Sequence, residues 1–457
     1  MCSNLGGHHL ERCMSTRKMR LTVAHNNTND LIPGISHLPA VESVYGKMAE
    51  DLAGGGRNTY LLADINLSQL RHLIDQAHEH NLKYNYVLNA PCLSNLETTR
   101  KFNDQLFAFI GTLVDMGVDG FVVALPYLLD LIKRHFPEVT VSISTFAIIN
   151  SISKAKSWED KGADRIIIQQ DQNREFSLLK KIRKAVSCEL ELFANNLCMD
   201  QCPYPPFHAA FNAHGSANHQ KTKGFALDYC GFQCARKRLE KPVEFIRGRF
   251  IRPEDIHLYE DIGIDVFKLA DRIKSTRWIT NVVTAYNNRY YDGNLVDLIG
   301  YPFMRQHEDD SAAGNPARWM IRPDFIHMDT VKEVRHLGDA GVLVHIDNRK
   351  LDGFCEYFMK HDCRTAICDE ECTHCAKYAR SAIQVNEAAA AERIARHQKI
   401  LDMMVDRTAF TAEPYLKQLV IRTVSRASGL LQRAKVAGPA MPHIDSPVSA
   451  SAPEGEK

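Results

Sequence analysis

The sequence predicts an α/β protein: a (β/α)8 TIM-like barrel with a Cys-rich insertion after strand seven and a smaller C-terminal Cys-rich α/β unit. Three observations lead there. Short apolar runs alternate with helical stripes from Arg20 to about residue 290, the pattern of repeated β-α units. The alternation yields eight strands, the number that closes a barrel, with a doubly wound open sheet as the competitor. The seventh strand runs straight into Cys198, where the cysteine-rich stretch begins.

Arg20-Leu21-Thr22-Val23-Ala24 reads as the first strand and Glu42-Ser43-Val44-Tyr45-Gly46 as the second. Gly54-Gly55-Gly56-Arg57 reads as a mobile loop, not a phosphate loop, because no Gly-Lys-Ser/Thr follows. Asn66 is placed to cap a helix whose stripe is Leu67, Leu70, Leu73, Ile74 and Ala77. A strand at Tyr84 to Asn89 precedes a helix from about Asn95 to Met116. Gly120 to Leu125 is a strand, and Pro126 opens a helix at a position that tolerates proline. Val139 to Thr145 is the next strand, with a helix following through Trp158. Arg165 to Gln170 is the sixth, and Phe176, Leu179, Ile182 and Val186 mark the helix behind it. Leu190 to Ala194 is the seventh. A short helix at Glu254 to Asp261 leads to the eighth, Val266 to Ala270, and a last helix from Lys274 carries Trp278, Val282 and Tyr286.

These elements divide the chain into a disordered tail at 1–18, the barrel at 19–290 with its insertion at 197–252, a C-terminal unit at 291–433, and a second tail at 434–457 rich in Pro, Ala and Ser. Asp309 to Asn315 reads as a linker. In the C-terminal unit Val342 to Ile346 is expected as a strand, and Ala376 to Met404 as one long helical stretch.

A hydrophobic share of 45% and a charged share of 24% are those of an ordinary globular chain. The net charge of +1 gives no bulk argument for nucleic acid or an anionic membrane. Lys221, Lys223, Arg236, Lys237, Arg238, Lys241, Arg247, Arg249 and Arg252 crowd one region, either as a solvated face or as a site for an anionic substrate. No apolar run reaches about 18 residues, so no transmembrane helix is expected. Met1 to Arg20 has no continuous apolar core, so no secretory signal is expected and the location is read as cytoplasmic. There the 13 cysteines suit metal binding better than disulfides.

Cys198-x3-Cys202 and Cys230-x3-Cys234 form a candidate four-thiolate site for a soft metal, an iron–sulfur cluster or zinc. Four thiols packed as small hydrophobes are the alternative. Barrel active sites lie at the carboxyl ends of the strands, so this site should share its space with His25, Asn89, Ser144, Thr145, Gln169, Arg174, Asn195, Lys268 and Arg272. A further group, Cys363, Cys368, Cys372 and Cys375 with Cys355 nearby, is read as a second cluster, a structural zinc, or reduced cysteines under a helix. Cys368-x3-Cys372-x2-Cys375 has the spacing of the radical S-adenosylmethionine signature. It follows the barrel instead of opening one, and His374 stands where that family has an aromatic residue, so that reading is rejected.

Phe250-Ile251-Arg252-Pro253-Glu254-Asp255-Ile256 and the stretch Gly263 to Ser275, with its Phe267-Lys268-Leu269-Ala270-Asp271-Arg272 core and the aromatic helix behind it, resemble the collagenase-like peptidase family, number thirty-two among peptidases of unknown catalytic type. Asn173 to Leu178 resembles the family's Arg-Glu-Leu-Ser motif, and Cys188 to Phe193 its strand before the first cysteine. The resemblance spans roughly residues 20 to 290. Three departures point to a different substrate: Asn195-Asn196 replaces His-Gly, Ala270-Asp271 replaces Glu-Gly, and Cys198 and Cys202 are spaced by three residues, closer than the family's first pair.

The resemblance implies an O2-independent hydroxylase with a 4Fe–4S cluster on Cys198, Cys202, Cys230 and Cys234, acting on an RNA base or a small biosynthetic intermediate. Arg174, Lys268 and Arg272 are then expected to bind an anionic donor or substrate, since guanidinium and ammonium pair with carboxylate or phosphate. Asn89 and Asn195 are expected to orient the acceptor. A metal- or cysteine-dependent peptidase and a zinc-stabilised non-catalytic partner subunit are the alternatives. No His-Glu-x-x-His and no Gly-x-Ser-x-Gly is present.

Overall fold

The computed structural model describes residues 19–56, 62–218, 227–299, 325–337, 342–412, 417–418 and 420. The two tails, Arg57, Lys221, Lys223 and the Asp309 to Asn315 linker lie outside the described residues.

Eight parallel strands close into a barrel: β1 (Arg20–Ala24), β2 (Val41–Gly46), β3 (Lys83–Leu88), β4 (Gly120–Val123), β5 (Thr140–Ile143), β6 (Arg165–Ile167), β7 (Glu189–Phe193) and β8 (Val266–Leu269). Closure is made by β8, which pairs with β7 through Leu192↔Phe267 and with β1 through Leu21↔Phe267. Leu21, Val44, Tyr86, Phe121, Val141, Ile166, Leu192 and Phe267 belong to one continuous core with the apolar faces of the helices.

The helices around the barrel are α1 (Leu31–Ile35), α2 (Leu67–Glu79), α3 (Arg100–Asp115), α4 (Pro126–His135), α5 (Ile152–Asp160), α6 (Phe176–Ala185), α10 (Ile256–Glu260) and α11 (Thr276–Asn288). Asn66 caps α2 as its sequence predicts: its side chain accepts from the Gln69 N–H while the Gln69 side chain accepts from the Asn66 N–H. Pro126 stands in the first turn of α4. Helix α1 was not expected, because Pro33 and Gly34 obscure its period.

At the amino ends of the strands a charge network seals the barrel. Arg165 Nη2 lies 2.6 Å from Glu189 and 2.9 Å from Glu42, and Arg20 Nη1 lies 2.6 Å from Glu189 and 3.1 Å from Glu42. At the carboxyl ends the interior closes instead on a small apolar cluster, Ala24, Tyr45, Val87, Val122 and Ile167.

Between β7 and β8 come α7 (Pro205–Gly215), α8 (Tyr229–Glu240) and α9 (Val243–Arg247). Beyond the barrel lie α12 (Met328–Leu337), β9 (Val344–Ile346), α13 (His374–Ala382), β10 (Ile383–Val385) and α14 (Glu387–Val405). The single helical stretch expected from Ala376 to Met404 is therefore two helices. β-Branched Ile383 and Val385 pair antiparallel with Ile346 and Val344, and Asn386 then caps α14, accepting from the Ala389 N–H at 3.2 Å. Helix α14 packs on α8, where Leu227, Phe232, Val334, Leu337, Ile400 and Leu401 share a second core. No helix of the described residues is long and apolar enough to cross a membrane.

Candidate active site at the carboxyl end of the barrel

A cavity of about 420 Å³ opens above the apolar cluster, with Tyr45, Val87, Val122 and Ile167 as its floor. This is the end at which a barrel's loops assemble sites. Cys198, Cys202, Cys230 and Cys234 all line it. The first pair sits on the loop leaving β7, where Asn196 Oδ1 accepts from the Cys198 N–H at 2.7 Å and fixes the turn. The second pair sits on α8, capped by Asp228, whose Oδ1 accepts from the Gly231 N–H at 2.8 Å. A spacing of four residues puts Cys230 and Cys234 on one helix face, and Arg238 continues the stripe.

The surroundings of the sulfurs are donors. Arg238, fully buried, donates Nη1–H to Cys234 Sγ at 2.7 Å and Nη2–H to the Leu197 carbonyl. Gln170 Nε2 donates to Cys198 Sγ at 2.8 Å and is itself held by Thr145. Buried sulfur accepting from a guanidinium and an amide is the arrangement thiolate ligands need. As free thiols Cys198 and Cys230 are held protonated: burial pushes Cys198 up to about 12 and Cys230 up to about 11. Among the described residues no three of His, Cys, Asp or Glu converge at the spacing of a single ion.

Asn89, Ser144, Thr145, Gln169, Lys268 and Arg272, expected at the strand ends, do line the cavity. Lys268 Nζ lies 3.5 Å from the centre of the Tyr45 ring and 3.9 Å from Glu191 Oε1; burial lowers its pKa to about 8 against the pull of Glu191. Asn89 accepts from the Gly56 N–H at 3.1 Å and donates to Ser144 Oγ at 3.2 Å.

Three expected members are elsewhere. His25 is buried outside the cavity lining, beside the Tyr84 ring, with its Nδ1 accepting from the Asn27 N–H. Asn195 is a clamp within the wall: Nδ2 donates to the Ala270 and Leu298 carbonyls at 2.7 and 3.0 Å, and Oδ1 accepts from the Ala270 N–H at 2.7 Å. Its amide is used up by backbone and cannot orient an acceptor. Arg174 points away from the cavity, into the rings of Phe250, Phe354 and Phe358, so it does not bind a substrate there. Cys363, Cys368, Cys372 and Cys375 likewise lie outside the cavity lining.

The glycine run is a packed wall and not a loose loop. Gly54 to Gly56 are buried; Gly55 N–H donates to Ser216 Oγ at 2.8 Å, and Gly54 N–H to Asp51 Oδ1 at 2.7 Å. A side chain does not fit: Gly54 has φ +76°, and a Cβ there would stand 2.2 Å from the Ala213 carbonyl oxygen. Beneath it Lys47, Asp51 and Tyr86 form a buried triad, with Lys47 Nζ at 3.0 Å and Tyr86 Oη at 2.9 Å from Asp51 Oδ2. Lys47 directly follows β2, and that strand end was the signal available for finding it. His208 is turned to Asp228 at 2.8 Å, and His214 to Ser94 at 3.3 Å.

Residues 55–294 match the model of peptidase family U32. An uncharacterized protease of Methanocaldococcus jannaschii is 30% identical over 335 residues, 73% of this chain and 87% of that protein. The tRNA hydroxylation protein P of Escherichia coli is 30% identical over 141 residues, 30% of this chain and 29% of its own length. The tRNA hydroxylation protein P1 of Bacillus subtilis is 25% identical over 197 residues, 40% of this chain and 45% of its own. The chain thus spans less than half of either tRNA hydroxylation protein. A solved U32 peptidase structure covers 57% of this chain and 97% of its own, at 22% identity and a TM-score of 0.42.

Proposed function

The chain belongs to peptidase family U32, and from that membership we propose that it is an O2-independent hydroxylase of an RNA base or a small intermediate, using a 4Fe–4S cluster. The observation that carries the reading is the gathering of Cys198, Cys202, Cys230 and Cys234 around one cavity beside Lys268 and Arg272. The donor set fits the group: four sulfurs, two of them already accepting N–H bonds. Bound there, the cluster would supply one-electron chemistry.

The chain's own residues supply the rest. Lys268 and Arg272 hold the carboxylate or phosphate of an anionic donor. Overall the acceptor's C–H becomes C–OH, losing two electrons, and the donor's C–OH becomes C–H, gaining them. Val87, Val122, Ile167 and Tyr45 give the acceptor ring an apolar floor that excludes water. A cavity of about 420 Å³ suits a flipped base or a small intermediate. Relatives named for tRNA hydroxylation favour RNA, and Arg236 and Lys237 on the cavity wall would meet its phosphates.

The family name supplies a second reading, peptide hydrolysis. His208, oriented by Asp228, would be its base and Cys230 its nucleophile, but burial keeps that thiol protonated. Nucleoside mass spectrometry of tRNA from cells with and without the gene decides between them. A nucleoside one oxygen heavier, lost with the gene and with Cys198→Ala, is expected. Unchanged nucleosides and peptide cleavage by colourless protein would overturn the hydroxylase reading.

A further inference from the structure

The second cysteine group is built as a site too. Cys363 opens a one-turn helix, Cys363–Thr365, fixed by Asp362 Oδ1 accepting from the Arg364 N–H at 2.9 Å. Cys368 and Cys372 face each other across a bridge, where the Asp369 N–H donates to the Cys372 carbonyl at 2.9 Å and the Cys372 N–H to Ile367 at 3.2 Å. Cys375 stands in the first turn of α13. This knuckle has little core of its own: Ile367, its one large apolar residue, is 56% exposed. Something besides hydrophobic burial must order it.

The thiols lie within electrostatic reach of one another, Cys375 with Cys363 and Cys368, and Cys368 with Cys372. The Tyr357 hydroxyl stands 3.6 Å from Cys372 Sγ.

A second and independent observation is the cation beside them. Arg174 is 2% exposed, and Nη1–H donates to the Ile246 carbonyl at 2.7 Å, while Nη2 has no hydrogen-bond partner. Among the described residues it has no carboxylate partner; the groups in reach of it are the rings of Phe250, Phe354 and Phe358, the thiols of Cys375 and Cys355, the Tyr259 hydroxyl and a second cation, Arg249. A guanidinium buried among rings without an anion is costly. Thiolates around a bound centre would supply the missing charge, and the spare N–H a hydrogen bond to sulfur. Arg249 adds a second cation, bonded to Asp200 at 2.7 Å on the loop of the barrel cysteines and interacting with the Cys363 thiol.

We propose that Cys363, Cys368, Cys372 and Cys375 hold a second iron–sulfur cluster, with Arg174 as its buried counter-charge. A cluster suits the spacing better than zinc, because its own iron–sulfur frame keeps the ligands apart, and no three of them converge at single-ion spacing.

The test is iron, acid-labile sulfide and zinc per full-length chain purified without oxygen, which needs no variant for its first result. About eight irons and eight sulfides are expected, from two clusters of about four each. Cys198→Ala with Cys230→Ala should leave about four of each, and Cys368→Ser with Cys372→Ser should leave the other four. Circular dichroism checks that each variant keeps its helix content. In the barrel-site variant, Arg174→Met should shift the electron paramagnetic resonance spectrum of the reduced cluster, and Arg174→Lys should restore it. About four irons, all removed by the barrel substitutions, would overturn the second site. Zinc that leaves with the knuckle substitutions would overturn the cluster there. About four irons that survive the barrel substitutions but go with the knuckle ones would keep this inference and overturn the barrel reading instead.

Discussion

Lys268, proposed above to hold an anion, shows how burial makes a strand-end cation depend on pH. Taking its ammonium out of water disfavours the charged form, and Glu191 recovers only part of that, so it titrates near pH 8. Below that pH it is cationic, and above it neutral. Affinity for a dicarboxylate probe, measured by calorimetry, should therefore fall as pH rises through about 8. Lys268→Met should cost about 10- to 100-fold, or ~1.4–2.8 kcal/mol, and abolish the pH dependence. Lys268, Arg272 and Asn89 were legible because each stands at or just past the carboxyl end of a strand, where barrels place function. Asn195 occupies an equivalent position yet serves the wall, since which way a loop side chain turns depends on the backbone it meets, here Ala270 and Leu298. Arg174 was misread for a related reason: the rings that receive it come from Phe354 and Phe358, far along the chain.

At the scale of elements, local signals were sound and distant pairings were not. The Asn66 cap and Pro126 start are decided by their own neighbours, and both stand as the sequence predicts. The break between α13 and α14 depends on β10 finding β9, which no local period reveals. The glycine run failed similarly, because glycine signals freedom unless something packs on it. Gly54→Ala tests the packed reading. It should destabilise by about 1–2 kcal/mol for the left-handed backbone and a further 1–3 kcal/mol for overlap with Ala213, measured by urea unfolding.

The whole molecule divides its chemistry between the two ends of the barrel. The amino end carries the interlocked Arg20, Glu42, Arg165 and Glu189 charges, and the carboxyl end the cysteine-lined cavity. Conserving stability at one end leaves loops at the other free to vary. Arg165→Met should cost about 1–3 kcal/mol in unfolding, because it takes from Glu42 and Glu189 the more buried of their two guanidiniums and leaves them Arg20, while leaving the iron content proposed above unchanged. Loss of iron in a folded Arg165→Met protein would contradict that separation.

The shared core between α8 and α14 has a consequence in time. Helix α8 carries Cys230 and Cys234, but the residues that cover its Phe232 face, including Ile400 and Leu401, lie near the far end of the sequence. A ribosome releases them long after the thiols have emerged. The cysteine helix therefore waits, unsupported on one face, until α14 is made. Synthesis runs from the barrel outward, whereas the barrel's cysteine site reaches its finished form only when α14 docks.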